Sequence, residues 1–347
     1  DSSTSRGLGD VYKRQVMKRK KMAEDEGTAE LSCYMMKVID DLMAGKKYPA
    51  VHTYISTLRS FIRFSGGRDV KLPMQEVFTP GRLKEYESWL MVQRKLSLNT
   101  VSTYMRTLQA VYNRWMPLGS GDYNPKLFDD VYTKVESHIK RALTEQQMKR
   151  LMYAEAVPIS EEQKRILAYF VLMFLFRGMP FIDLAYLRKK DMKGDTIVYR
   201  RHKTGKQMTV HIPREAIPLI NEFRDKTSQS PYLFPILDAG VCSAWELHRH
   251  YQDALHRFNK SLGKLMCLLL PGFKVSSYTA RHTWATLAFY MGIPVGIICQ
   301  SLGHSSVRVT ETYLKPFENE RIDKANRKLI SSVRKCKWEN TQSYNKL

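Results

Sequence analysis

Apolar residues recur at spacings of three and four over residues 31–43, 51–64, 83–92 and 98–115, the period of helices that bury one face. The third of these stretches opens with Thr79 before Pro80, a cap followed by a first-turn proline. Four such helices predict a small bundle. Between them "SGGRD" (65–69) and "MPLGSGDYNP" (116–125) read as turn-rich connections. A boundary is predicted near "KVESHIKRALTEQQ", where a charged stretch gives way to Thr144 and Gln147, a capping box that starts a new helix. A second box, Ser160 with Gln163, opens a long apolar helix that is expected to end at Arg177. The period then changes. Residues 195–201 and 207–213 alternate as strands do and are joined by "HKTGK", a glycine-containing hairpin. Helices dominate again to the carboxyl end. The fold expected is mainly α with a small antiparallel β-sheet, in two domains.

Charge adds the first hint of a partner. Over 347 residues, 56 Lys and Arg stand against 34 Asp and Glu, a formal net charge of +22 that calls for a polyanion, nucleic acid or an anionic membrane surface. The longest apolar run, residues 166–176, is about half of the ~20 residues a bilayer span requires, so it reads as a buried core helix and no membrane partner is expected. Cys33, Cys242, Cys267, Cys299 and Cys336 are scattered without paired spacing, which predicts free thiols in a reducing cytoplasm. His248, His250 and His256 lack carboxylate or thiolate partners at ligand spacing, so no metal or other cofactor is expected. Residues 5–15, "SRGLGDVYKRQ", match the translation of a common sequencing-library adapter. Residues 1–16 are therefore set aside as leader, and a natural start is expected at Met17 or truncated there.

The chemistry concentrates between residues 278 and 313. "YTARHTWAT" lies on a predicted helix that carries a charge, Arg281, among apolar neighbours. "LGHSS" (302–306) reads as a glycine turn into a further helix, and Tyr313 follows His304 by nine residues. An arginine, a histidine and a tyrosine so placed suit attack on a phosphodiester. A guanidinium fork holds two non-bridging oxygens and stabilises the charge that grows on them, and a tyrosine hydroxyl in a cationic setting becomes the nucleophile.

This pattern resembles the tyrosine recombinases, the phage-type integrase family, which shares its catalytic design with type IB topoisomerases. The resemblance runs from about residue 30 to 317. It implies a two-domain DNA clamp, with a helical core-binding domain at 17–140, a catalytic domain at 141–317 and a tail helix at 318–347 that packs on a neighbouring subunit or on its own domain. It also implies double-stranded DNA as partner, a homo-tetramer on two DNA sites, a 3′-phosphotyrosine intermediate and no cofactor. By position, Arg281 matches the second catalytic arginine, His304 the histidine or tryptophan position, Tyr313 the nucleophile and Lys203 the lysine that protonates the leaving 5′ oxygen; Lys206 is its rival. Tyr278 stands where the family commonly has a histidine three residues before that arginine. The first arginine is displaced: Pro180 occupies its usual place before Asp183-Leu184, and Arg177 is the expected stand-in, in a segment, "FRGMPFIDLAYL", similar to a subgroup common in gut Bacteroidetes. Read without the resemblance, Arg177 is a cation at a helix carboxyl end and Lys203 one of a solvated basic turn.

Residues 96–114 look like the family's DNA-facing helix, and Arg94, Asn99, Thr100, Tyr104 and Arg106, with Lys140 and Arg141 at the linker, are the expected DNA contacts. The implied function is a site-specific DNA recombinase, integrase or invertase. The alternatives are a type IB topoisomerase-like enzyme and a DNA-binding protein without catalysis.

Overall fold

The computed structural model describes residues 30–67, 70–116, 122–135, 142–153, 158–241, 243–314 and 322–333, and the chain divides into two compact units, Asp1–His138 and Ile139–Leu347. The leader 1–16, Lys140, Arg141, Cys242 and Cys336 lie outside the described residues, as does most of the expected tail. Residues 322–333 of that tail are helical and exposed throughout.

The first unit is all helix. α1 (Leu31–Ala44), α2 (Tyr48–Phe64), the single turn α3 (Met74–Val77), α4 (Pro80–Ser88) and α5 (Leu98–Trp115) realise the four amphipathic stretches and add a short helix that four residues are too few to betray. Thr79 caps α4 by accepting a hydrogen bond from the Arg82 backbone N–H at 3.3 Å. α4 runs on into one wide turn, Trp89–Gln93, where the Arg94 N–H reaches the Trp89 carbonyl five residues back at 3.0 Å. The core is aromatic: Phe61 and Tyr86 meet edge to face with ring centroids 4.8 Å apart, and Phe78 meets Tyr112 at 5.2 Å.

The second unit is built around one buried helix. α6 (Glu145–Met152) and α7 (Glu161–Leu175) each start at the capping box expected of them, Thr144 with Gln147 and Ser160 with Gln163. Residues 167–173 of α7 are all buried, which explains why its sequence is apolar all round. α8 (Phe181–Tyr186) leads to a three-stranded antiparallel sheet of β1 (Met192–Lys193), β2 (Thr196–Arg200) and β3 (Gln207–His211), in the order β1-β2-β3. β1 has only two residues and left no alternation to read. Then come α9 (Ala216–Phe223), α10 (Ala244–Leu269), α11 (Ser277–Tyr290), α12 (Val295–Leu302) and α13 (Val307–Glu311). α9, α10 and α11 all pack on α7.

One boundary differs from expectation. α7 ends at Leu175, two residues before Arg177, because the chain turns through two left-handed residues in succession, Arg177 at φ 57° and Gly178 at φ 68°. Glycine enters that region freely, whereas an arginine there costs on the order of 1 kcal/mol.

Candidate active site

Four elements of the second unit deliver the chemistry to one place: the turn after α7, the β2–β3 hairpin, α11, and the turn from α12 into α13. Arg281, on α11, is among the largest fully buried side chains and is only 2% exposed. It is buried with both terminal nitrogens engaged. Its Nη1 donates to the Gly178 carbonyl at 2.8 Å, and its Nη2 donates both to the Leu302 carbonyl and to His304 Nε2, the latter at 2.9 Å. Its Nε–H has no acceptor among the described residues. Burial first, and then the charge of Arg201, lowers its proton affinity.

Gly178 is what lets Arg281 sit there. A Cβ at that position would stand 3.1 Å from the Arg281 Cα and 3.3 Å from its Cγ. Gly303 plays the matching part at the end of α12. At φ 65° it closes that helix with a pair of hydrogen bonds, Gly303 N–H to Gln300 and His304 N–H to Cys299, each 3.0 Å, and so turns His304 inward.

The tautomer of His304 follows from its partners. Nε2 accepts from Arg281, so Nδ1 carries the proton and donates to Thr310 Oγ1 at 3.0 Å. Burial, reinforced by the positive charges of Arg281, Arg201 and Lys203, lowers the imidazole from its ordinary 6.5 to about 3, and it is neutral at pH 7. The sign for stability is clear. In the unfolded chain this imidazole takes up a proton below about pH 6.5, whereas the folded one resists until about pH 3. Stability that is complete above pH 6.5 is therefore lost as pH falls, by an amount on the order of 1 kcal/mol per unit. Urea unfolding compared at pH 7.5 and 5 is expected to show a steeper acid loss for the native chain than for His304→Gln. Parallel losses would refute it.

Tyr313, just beyond α13, is half-buried in a nest of rings. His304 lies with its centroid 4.7 Å away, His282 stacks at 4.9 Å, Tyr278 stands at 5.8 Å, and the Arg281 guanidinium carbon is 5.7 Å from the ring centre. Its hydroxyl is hydrogen-bonded to that of Tyr278. Burial, followed by this bond, raises the proton affinity of Tyr278.

Arg281, His304, Tyr313 and Tyr278 thus come together, and Lys203, exposed in the hairpin, is close enough for its charge to act on His304. Lys206 is exposed in the same hairpin, and its carbonyl accepts from the Arg201 N–H at 2.8 Å. Arg177 is half-buried and its Nη1 donates to the Thr209 carbonyl on β3 at 3.3 Å. Sequence reasoning passed over Arg201 as part of a basic turn. It is 5% exposed, and its Nη1 donates to the Gly303 carbonyl at 2.6 Å. The signal was present: Ile197 and Tyr199 are the buried residues of β2, and the same alternation carried two residues further points Arg201 inward and Arg200 outward. His282, the residue after Arg281, packs on the Tyr313 ring and was not singled out from the sequence.

In the first unit, Arg94 follows the wide turn with its guanidinium 5.7 Å from the Trp89 ring. Thr100 Oγ1 pairs with Ser97 Oγ at 2.9 Å at the start of α5. Asn99 and Arg106 lie seven residues apart on one face of α5, opposite the buried Val101, Met105 and Leu108, and Tyr104 is half-buried between the two faces. Among the described residues no group of three or more His, Cys, Asp or Glu is gathered as metal ligands, and no helix is long and apolar enough to cross a membrane.

Comparison with known proteins follows the same division. Residues 141–320 match the profile of the phage integrase family, and residues 30–127 that of the phage integrase SAM-like domain. The tyrosine recombinase XerA of Pyrococcus furiosus is 28% identical over 204 residues, which are 56% of this chain and 64% of that protein. The match therefore spans just under two thirds of that relative's length. Among solved structures, a lambda integrase dimer bound to a COC′ core site aligns with a TM-score of 0.57 at 15% identity, over 82% of this chain and 95% of the other. The XerH site-specific recombinase bound to its difH substrate aligns at 0.53 and 15% identity, over 76% of each chain. Both likenesses are of fold.

Proposed function

Because this chain belongs to the phage integrase family, we propose that it is a site-specific DNA recombinase that cuts and rejoins strands of double-stranded DNA through a covalent 3′-phosphotyrosine. The observation that carries the reading is the Tyr313 hydroxyl, held by that of Tyr278 in a nest that Arg281 and His304 complete.

In the cleavage step, Tyr313 Oη attacks the scissile phosphorus, and the new O–P bond forms as the bond to the 5′ oxygen breaks. The phenolic proton passes to Tyr278 Oη, which releases its own to solvent. Lys203 donates a proton to the departing 5′ oxygen, and Arg281 carries the charge that gathers on the non-bridging oxygens. His304, neutral and accepting from Arg281, holds that guanidinium in place and leaves its positive charge uncompensated for the phosphate. Rejoining is the same sequence reversed by a 5′ hydroxyl, and the phosphodiester energy is kept in the adduct.

The surplus of cations serves the duplex. Asn99, Arg106, Arg94, Thr100 and Tyr104 in the first unit, with Lys140 and Arg141, are its proposed contacts, and the working assembly is a homo-tetramer on two DNA sites in the cytoplasm. Each neutralised phosphate contributes about −0.9 to the log–log slope of affinity against salt, so filter binding from 50 to 200 mM salt is expected to show a slope steeper than about −4. A flat dependence would contradict it.

The deciding experiment presents the protein with a pool of nicked duplexes of randomised sequence, whose cut strand cannot be resealed. The expected product is a detergent-resistant adduct whose modified peptide contains Tyr313. No adduct leaves a DNA-binding protein without catalysis. An adduct joined with relaxation of supercoiled DNA at no preferred sequence indicates a topoisomerase instead.

A further inference from the structure

We propose that Arg201 is a second phosphate-holding arginine of this site, a catalytic residue that grips the scissile phosphate together with Arg281; the inference rests on the recombinase reading above.

The geometry is that of a pair. Arg281 donates to the carbonyl of Leu302 and Arg201 to that of Gly303, so two guanidiniums hang on consecutive carbonyls at the carboxyl end of α12. That helix end is the partial negative charge that lets two cations approach. The charges of both act on the residue that follows, His304, to which Arg281 is also bonded. Both arginines are almost wholly buried, 2% and 5% exposed. Burying two like charges side by side is unfavourable unless opposite charge compensates them.

Only part of that compensation is present. Asp183, 3% exposed, sits with Oδ2 3.8 Å from Arg201 Nε, too far for a hydrogen bond. Its Oδ1 is taken by the His202 backbone N–H at 2.8 Å. Burial raises the proton affinity of this carboxyl, and the His202 backbone hydrogen bond, Arg201 and Arg281 act against that rise, which places this acid under the influence of both cations. The Nε–H groups of Arg201 and Arg281 and Asp183 Oδ2 are all buried without a hydrogen-bond partner among the described residues. Among the described residues one carboxylate stands against two guanidiniums and the nearby Lys203, which leaves the cluster short of negative charge, and the ligand that makes up the deficit is a phosphodiester. Asp183 then orients Arg201, and Arg201 Nη2, which bonds to nothing among the described residues, is the group offered to a non-bridging oxygen.

Arg177 is the rival for this role. Its guanidinium rests on the Thr209 carbonyl of β3.

The test uses the full chain and a nicked duplex recovered from the randomised pool by native protein. Arg201→Lys, which keeps the charge and loses the fork, is expected to slow adduct formation by at least about a hundredfold, while DNA affinity changes by less than about threefold. Arg201→Gln serves at the same position where the lysine variant does not fold. The decisive arm replaces the scissile phosphate by a methylphosphonate, which carries no charge on its non-bridging atoms. If Arg201 neutralises that charge, the deficit of the variant shrinks to within about tenfold on the neutral substrate. A deficit of equal size on both substrates makes Arg201 a structural residue and overturns the proposal. So does a normal rate, or a deficit relieved by the methylphosphonate in Arg177→Lys and not in the Arg201 variants. Absence of any adduct with native protein refutes the recombinase reading itself, a separate outcome.

Discussion

The Tyr313→Phe variant is expected to bind DNA with native affinity and to form no covalent adduct, a fall of at least about ten-thousandfold that reaches the detection limit. Loss of a nucleophile removes the chemical step and not a fraction of it, because no other group completes the same bond. The substitution deletes one oxygen and leaves the ring, so the packing on His304, His282 and Arg281 persists. What is lost in the fold is the bond to Tyr278 Oη. That neighbour makes the experiment sharp. Tyr278, whose hydroxyl is bonded to that of Tyr313, is 42% exposed, and an adduct in Tyr313→Phe whose modified peptide contains Tyr278 would transfer the nucleophile's role to it. The measurement is denaturing gel analysis of the nicked duplex, followed by peptide mapping.

The second large effect belongs to Arg281. Arg281→Lys is expected to lower cleavage by about 10²–10³-fold, a loss of ~2.7–4 kcal/mol of transition-state stabilisation. A lysine keeps the charge but meets the phosphate as a single point, and it cannot reach the Gly178 carbonyl, the Leu302 carbonyl and His304 Nε2 together. Some loss of stability is also expected, since carbonyls desolvated in the fold would lose their donor. Single-turnover cleavage at saturating DNA separates the two effects, and a rate within tenfold of native in a folded variant would remove Arg281 from the phosphate.

Much of this was legible before any coordinates. Helices with one apolar face wrote their own boundaries, because their period and their caps are local properties: Thr79, Thr144 and Ser160 each accept from the backbone N–H expected of a cap. The all-apolar run of α7 announced burial on every side. What escaped was of two kinds. Elements of two and four residues, β1 and α3, are too short to display a repeating period. The other kind was chemical. Arg201 looked like one member of a basic turn, since its charge grouped it with Arg200 and Lys203, although the alternation of Ile197 and Tyr199 continues to it and turns it inward. The end of α7 was misjudged for a different reason, since a turn through consecutive left-handed residues is fixed by the close approach of Gly178 to Arg281, a contact over a hundred residues away in sequence.

The β2–β3 hairpin pairs Arg200 with Gln207, and the loop closed by the Arg201 and Lys206 backbone carries Lys203 at its outer side. Two cations of opposite exposure thus share one six-residue loop. Inserting a single residue into β2 ahead of Arg200 would carry Arg200 to the inward position of Arg201, and would do so only by putting that segment and the buried pair Ile197 and Tyr199 out of register with each other. Deleting one from the loop would leave the inward arginine where it is and shift Lys203 relative to it. The buried pair Ile197 and Tyr199 makes the strand intolerant of such slips and Lys203 makes the loop so, and natural variation in length is therefore expected to accumulate in the turn before β2 and to be absent between residues 196 and 206.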